Sequence, residues 1–177
     1  MAYTAPTAVT AGDALTATLY NTYVKDNVIA LQQSIVRLGH VTRTTEYTTT
    51  ATTLAGSTDV FASDLSFTAD GTSAYSVEAY SSQLTMSSTQ DDYVTVNLVK
   101  GDGTGVAMLG LVRCSTGFSS AAPFFARFYY TPSAGTQTLN LRLTCSGRTS
   151  SLHAGSGGTG AFDRAPILLS VFGPDLT

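Results

Sequence analysis

The chain has 177 residues, a formal net charge of −3, and charged side chains at only 12% of its positions, about half the usual quarter. A pI near 5.1 and the lack of any basic run exclude the electrostatic footprint of a nucleic-acid binder, and no stretch approaches the roughly 18 consecutive apolar residues of a membrane helix. Thr, Ser and Gly make the surface polar without charging it, so charge repulsion does little to hold neighbouring copies apart.

Residues 1–15 read as an extended arm. MAYTAPTAVTAGDA is too short and too small-sided to build a core, and Pro6 disfavours helix. Two readings stand. It is a docking arm laid along a neighbour's sheet or groove by backbone hydrogen bonds, with Tyr3, Pro6 and Val9 as its contact residues, or it is a frayed terminus. The stretch also lacks a basic n-region and a long apolar core, so no secretory signal is expected and the chain is expected to stay in the cytoplasm where it is made.

Residues 16–39 carry the strong helical pattern. The Thr16 hydroxyl can cap the N-terminus. Gly39 can end the helix in the left-handed region, with Arg37 in the last turn, where its charge suits the dipole. Val24, Val28, Leu31, Ile35 and Leu38 recur at spacings of 4, 3, 4 and 3, which is a heptad seam rather than a broad apolar stripe. Extending the register backwards puts Asn21 on the seam, where a buried amide can fix register and strand number. Ala17 to Leu38 would span about 33 Å. The seam predicts self-association through Asn21, Val24, Val28, Leu31, Ile35 and Leu38. The other reading is a lone amphipathic helix folded back on the domain that follows.

From His40 to Thr177 the period changes to two. Strands are expected at roughly 40–48, 58–69, 74–84, 93–100, 105–113, 123–131, 136–145 and 165–172, by the alternation in YSVEAY, VTVNLV and TLNLRL and the aromatic run FFARFYY. The turns GDGTG and PSAG each predict a hairpin. Regularly spaced short strands after a single helix mean a mainly β chain whose body is an antiparallel sandwich, and about eight strands favour a jelly roll. Cys114 and Cys145 each end an apolar run. Two buried reduced thiols are expected, and a disulfide only where those strand ends meet.

The search for chemistry finds no catalytic, cofactor-binding or metal-binding residue. His40 and His153 have no partner at metal-ligand spacing and read as surface or hinge residues. Gly155–Gly160 lacks the Lys-Ser/Thr of a phosphate loop and reads as a flexible loop. Asp91-Asp92 lacks the acidic alternation of a calcium loop and reads as a solvated turn. No G-x-S-x-G or H-E-x-x-H is present. An enzyme is not expected.

The segment GDALTATLYNTYVKDNVIAL resembles an N-terminal signature of structural proteins of tailed bacteriophages, many from phages of actinobacteria. The matching residues are Gly12, Asp13, Thr16, Ala17, Tyr20, Asn21, Val24, Lys25, Asp26 and Asn27, with Tyr20 where that family often has Trp. The end, RAPILLSVFGP, is similar to the family's closing strand, except that Phe172 stands where Ile or Leu is usual and the preceding acidic residue is missing. The resemblance implies a virion protein assembled in the host cytoplasm, either a minor tail protein or a capsid decoration or head fibre. It implies a homotrimer, attached to other phage capsid or tail proteins by its arm and helix, that projects its β domain. The alternative is a carbohydrate-binding or weakly hydrolytic module acting on the host envelope, with cell-surface glycans as partners. Tyr75, Tyr80, Tyr93, Tyr129 and Tyr130 would supply its stacking rings, and alternation should bury some of them and expose others.

Overall fold

The computed structural model describes residues 36–87, 92–114, 119–146, 149–156 and 163–173. Among them the chain is mainly β and contains no helix. Two antiparallel sheets face each other as a sandwich. The larger has β1 (Val36–Arg43), β12 (Ile167–Gly173), β4 (Tyr75–Ser87), β9 (Ser150–His153) and β2 (Tyr47–Thr49) in that order, with β7 (Ser119–Tyr130) on the other side of β4. The smaller runs β3 (Leu65–Ala69), β8 (Gly135–Cys145), β5 (Asp92–Lys100), β6 (Gly105–Cys114). A short ladder joins β10 (Gly155–Ser156) to β11 (Asp163–Arg164).

Alternation builds the core. Tyr75, Val77 and Ala79 of β4, Ile167, Leu169 and Val171 of β12, and Leu139, Leu141 and Leu143 of β8 are fully buried. Phe67 of the smaller sheet meets Tyr75 of the larger with ring centroids 5.2 Å apart, one contact that welds the two layers. At the opposite side Phe124 of β7 presses on β6 at Gly110, where a Cβ would come within 2.8 Å of the ring. Only glycine lets those strands approach so closely.

The thirteen-residue β4 buries residues 75, 77, 79 and 81, then 84 and 86. The parity changes once, at the register shift between Ser81 and Leu84 against β7. A bulge that adds one residue keeps Leu84 and Met86 on the core side, whereas an unbroken pleat would turn both to solvent. The buried Ser81 hydroxyl donates to the carbonyls of Gln83 at 3.0 Å and His153 at 3.2 Å. The bulge also marks a change of neighbour. β12 pairs with Ser76–Tyr80, and β9 with Gln83–Met86.

β8 loses β3 as a partner beyond Leu139. The irregular stretch 50–64 covers the vacated edge. Val60 N donates to Leu141 O and Cys145 N to Ala51 O, both at 2.8 Å. The Asn140 side chain, 1% exposed, holds this stretch. Its Oδ1 accepts from Phe61 N at 3.1 Å and Leu141 N at 2.8 Å, and its Nδ2 donates to Phe61 O at 3.0 Å and Asp64 Oδ1 at 2.9 Å. Arg142 adds an ion pair to Asp59 at 2.6 Å. From the larger sheet, Arg43 donates to Val60 O at 2.7 Å and Tyr47 Oη to Thr58 O at 2.7 Å.

The structure corrects the sequence reading in several places. Residues 36–39, expected to end a helix, open β1, because Val36 to Arg43 pairs with β12 along its length. Leu38 packs on the sandwich core and is not a seam residue. Gly39 sits in that strand rather than capping a helix. The rest of the expected helix and the arm lie outside the described residues. GDGTG does join a hairpin, β5 to β6. PSAG does not, since β7 and β8 belong to different sheets. The expected strand at 40–48 divides into β1 and β2, and β9 lies in a stretch read as a turn. Cys145 is buried, with its sulfur 3.6 Å from Ala51 O. Cys114 is opposite Asp92 and Cys145 opposite Val94, on the two flanks of β5. Two strand spacings and a two-residue offset put their Cα atoms about 12 Å apart, beyond the roughly 7 Å that a disulfide tolerates.

Asn140→Ala should lower the free energy of unfolding by about 3 kcal/mol, because three buried backbone groups lose their partner; urea titration would show a lower midpoint at an unchanged slope. Burial pushes the Tyr130 phenol up from its ordinary 10.0 to about 12. The fold favours the neutral form, so this contribution is intact below pH 10 and is lost as the pH rises through 12. Tyr130→Phe should flatten the fall in melting temperature between about pH 9.5 and about pH 12.

Candidate functional site

The outer face of the larger sheet is set by register. Three rows cross β1, β12, β4 and β7. The first is Thr42, Leu168, Tyr80 and Phe125; the second is His40, Ser170, Glu78 and Arg127; the third is Arg37, Phe172, Ser76 and Tyr129. Neighbouring positions in a row are about 4.8 Å apart. Alternation sends Phe124, Ala126, Phe128 and Tyr130 toward the core and leaves Phe125 62% and Tyr129 61% exposed. These two rings stand four residues apart, about 14 Å along the strand.

Between them Arg127 forms an ion pair with Glu78 at 2.5 Å. Hydrogen bonding by Tyr129, and next by Glu78, raises the Arg127 pKa above its usual value. The face thus carries a neutral, mutually oriented acid–base pair between aromatic rows. A depression of about 220 Å³ lined by Thr42, Tyr80, Ala165, Pro166 and Leu168 lies at the end of the first row. Ser76 Oγ, beside Tyr129 in the third row, is covered and has no hydrogen-bond partner among the described residues.

A second cluster lies farther along the same face, past the bulge. Thr85 Oγ1 is 2.7 Å from His153 Nε2, and His153 Nδ1 is 3.0 Å from Glu46 Oε2. Beside it Thr48 Oγ1 meets Ser151 Oγ at 3.0 Å. Carboxylate, imidazole and hydroxyl stand in the order of an acyl-transfer relay. The backbone around them does not match that chemistry. Thr85 lies within β4, opposite Ala121 of β7 on one side and Ser151 of β9 on the other, so the strand's N–H groups are committed to ladders rather than aimed at an oxyanion. The cluster therefore reads as a polar clamp joining β2, β9 and β4. His153, expected as a surface or hinge residue, has a side chain only 14% exposed. Among the described residues no group of three His, Cys, Asp or Glu could hold a metal.

Of the residues expected at an interface, Asn21, Val24, Val28, Leu31 and Ile35 lie outside the described residues, as do Tyr3, Pro6 and Val9; Leu38 is partly buried against the core of the same chain. The five tyrosines divide as alternation requires. Tyr75 is fully buried, Tyr93 is 42% and Tyr129 61% exposed, and Tyr80 and Tyr130 are half-buried. Glu46, Thr85 and the Glu78–Arg127 pair had no motif to announce them. Strand pairing assembles them from distant parts of the chain.

No family model matches the chain, and no curated protein does. Among solved structures it is similar to the infectious bursal disease virus Gt strain at 14% identity and TM-score 0.33, covering 78% of this chain and 35% of that one. A mutant VP2 protein of the same virus, from T=1 particles, gives 16% identity and TM-score 0.33 over the same shares. The CBM22-1 xylan-binding domain from Paenibacillus barcinonensis Xyn10C gives 10% identity and TM-score 0.28, covering 78% of this chain and 88% of that one. The chain thus spans about a third of the viral proteins it matches, and likenesses at these scores are too loose to bear on its function.

His153→Ala should cost about 1–2 kcal/mol of stability, since it removes two hydrogen bonds between strands and leaves Thr85 Oγ1 without the imidazole. Glu46→Gln, whose carboxylate is nearly half exposed, should cost less than about 1 kcal/mol. Chemical denaturation of the two variants beside the parent protein checks the order.

Proposed function

We propose that the chain is a non-enzymatic structural subunit of a tailed-phage particle, trimeric, attached through residues 1–35 and projecting the sandwich. The observation that carries this reading is the phage-type signature Gly12–Asn27 placed directly ahead of a sandwich that starts at Val36. The sandwich supports it at one edge. Its edge strand β6 pairs only with β5 among the described residues and exposes Met108 by 60% and Leu111 by 44%. Long apolar edges are usually covered, and a neighbouring copy is the natural cover in a particle. A minor tail protein and a head decoration or fibre both fit this description.

Catalysis forms no part of the proposal. The Glu46–His153–Thr85 cluster has the right order of groups but lies within paired strands, without the donors that acyl transfer requires.

Deleting residues 2–14 should leave the melting temperature within a few degrees of full length and the trimer intact by light scattering, while abolishing incorporation into the particle. Normal incorporation of the truncated protein would reject attachment through the arm. Identifying which virion chains cross-link to residues 1–14 would separate head from tail: capsid-shell contacts mean decoration, and tail-tip contacts mean a minor tail protein. Leu111→Asp should weaken the trimer if β6 contributes to it, because the carboxylate would enter a dry interface.

A further inference from the structure

We propose that the outer face of the larger sheet binds a neutral carbohydrate chain, with Tyr80, Phe125 and Tyr129 as stacking rings and Glu78 with Arg127 as its hydrogen-bonding pair. This goes beyond the structural role and does not depend on it.

The chemistry of the face selects the occupant. A protein interface gathers its apolar side chains into one desolvated centre and depletes charge there. On this face the apolar side chains, Leu168, Tyr80 and Phe125 in one row and Phe172 and Tyr129 on either side of Ser76 in another, are instead separated by His40, Glu78 and Arg127, with Ser170 of the same row buried between them. A sugar ring has the same alternation, with apolar C–H faces bordered by hydroxyls. Rings on a paired strand are also rigid, so seating a ligand orders few torsions. Arg127 offers only donors and Glu78 only acceptors, a pairing that suits adjacent hydroxyls, each of which both donates and accepts. Because the two are ion-paired at 2.5 Å, the charge that stands between the two exposed rings is compensated, which favours a neutral chain over an anionic one; Arg37 of the third row stands on β1, three strands and about 14 Å from Tyr129.

The separation of the rings and the size of the depression narrow the ligand further. About 14 Å between Phe125 and Tyr129 is long enough for an extended oligosaccharide to place different rings on each. The depression of about 220 Å³ beside Tyr80 is below the roughly 300 Å³ at which whole-ligand pockets begin. Its lining of Thr42, Tyr80, Ala165, Pro166 and Leu168 suits an apolar substituent, such as the methyl of an N-acetyl group or of a 6-deoxy sugar.

The test uses the full-length protein on an array of neutral oligosaccharides carrying N-acetyl or 6-deoxy groups, with sulfated and uronic-acid chains for comparison, followed by calorimetric titration of the best binder. Binding to a neutral chain should weaken at least about tenfold in Phe125→Ala and in Tyr129→Ala, and stay unchanged in Tyr93→Ala, which removes an exposed ring from the opposite sheet. Both rings are more than half exposed, so the variants should keep the parent melting temperature. Four results would overturn the proposal. They are no binding to any neutral chain at millimolar concentration, preference for anionic chains, equal losses in all three variants, or dissociation of the oligomer in Phe125→Ala and Tyr129→Ala, which would make the face an interface between copies. None of these touches the incorporation assay, so the structural role stands or falls separately.

Discussion

The structure depends on one irregularity, the bulge in β4. This strand is the hub of the larger sheet, paired with β7 along one side and with β12 and then β9 along the other. Two neighbours share that side only because the strand changes phase between Ser81 and Leu84. Before the bulge the odd-numbered residues face the core, and after it the even-numbered ones do. The outward residues follow the same switch. Ser76, Glu78 and Tyr80 belong to the aromatic and charged rows, and Thr85 to the histidine cluster. The serine and histidine groups at the bulge are tied to each other, since Ser81 and Ser82 both donate to His153 O, at 3.2 and 3.3 Å. The backbone feature that closes the core therefore also positions both polar clusters.

Charge is scarce, and where it is placed explains why so little is needed. Asp70 accepts from the N–H groups of Thr72 and Ser73 and from the Ser73 hydroxyl, bonds to Ser73 above all, which hold its carboxyl far below the usual carboxylate range. Asp102 does the same for the turn after β5 by accepting from Thr104 N, and its pKa is lowered by that bond first. Gly103 in this turn holds φ at +83°, with the Arg142 guanidinium within 3 Å of where a Cβ would stand. Arg142 itself is bound to Asp59. Several of the charges thus serve turns and loop anchors, while on the outer face of the larger sheet Glu78 and Arg127 are paired with each other.

What was legible in the sequence follows from the same physics. Alternation found β4, β5 and β8 close to their bounds because apolar side chains recur at every second position on their core side. It failed where packing outweighed pattern. Leu38 satisfies both a helical spacing and a strand, and pairing with β12 decided for strand. SSLH has a single large apolar residue, yet Ser150, Ser151 and Leu152 are buried because β9 fills the place beside β4 that β12 vacates. PSAG has hairpin chemistry, but a turn cannot show whether its strands will pair with each other or with different sheets. The polar clusters were not legible at all. Glu46 and His153 are more than a hundred residues apart, and only the register of β2, β9 and β4 brings them to 3.0 Å.

The direction of the rows bears on how the face would be used. β1 begins at Val36 opposite Gly173, at the end of the sheet that holds Arg37, Phe172, Ser76 and Tyr129. The row with Thr42 and Phe125 lies four residues farther along β12, β4 and β7, about 14 Å away, and the histidine cluster lies beyond it. A subunit held through the residues before Val36 would present these rows along its flank, with the histidine cluster farthest from the attachment. A flank meets the middle of a polymer, whereas the loops at a tip meet its ends. Two exposed rings aligned along one strand, with hydrogen-bonding groups between them, suit contact with the middle of a chain. The placement therefore agrees with an extended polysaccharide as the ligand proposed for this face.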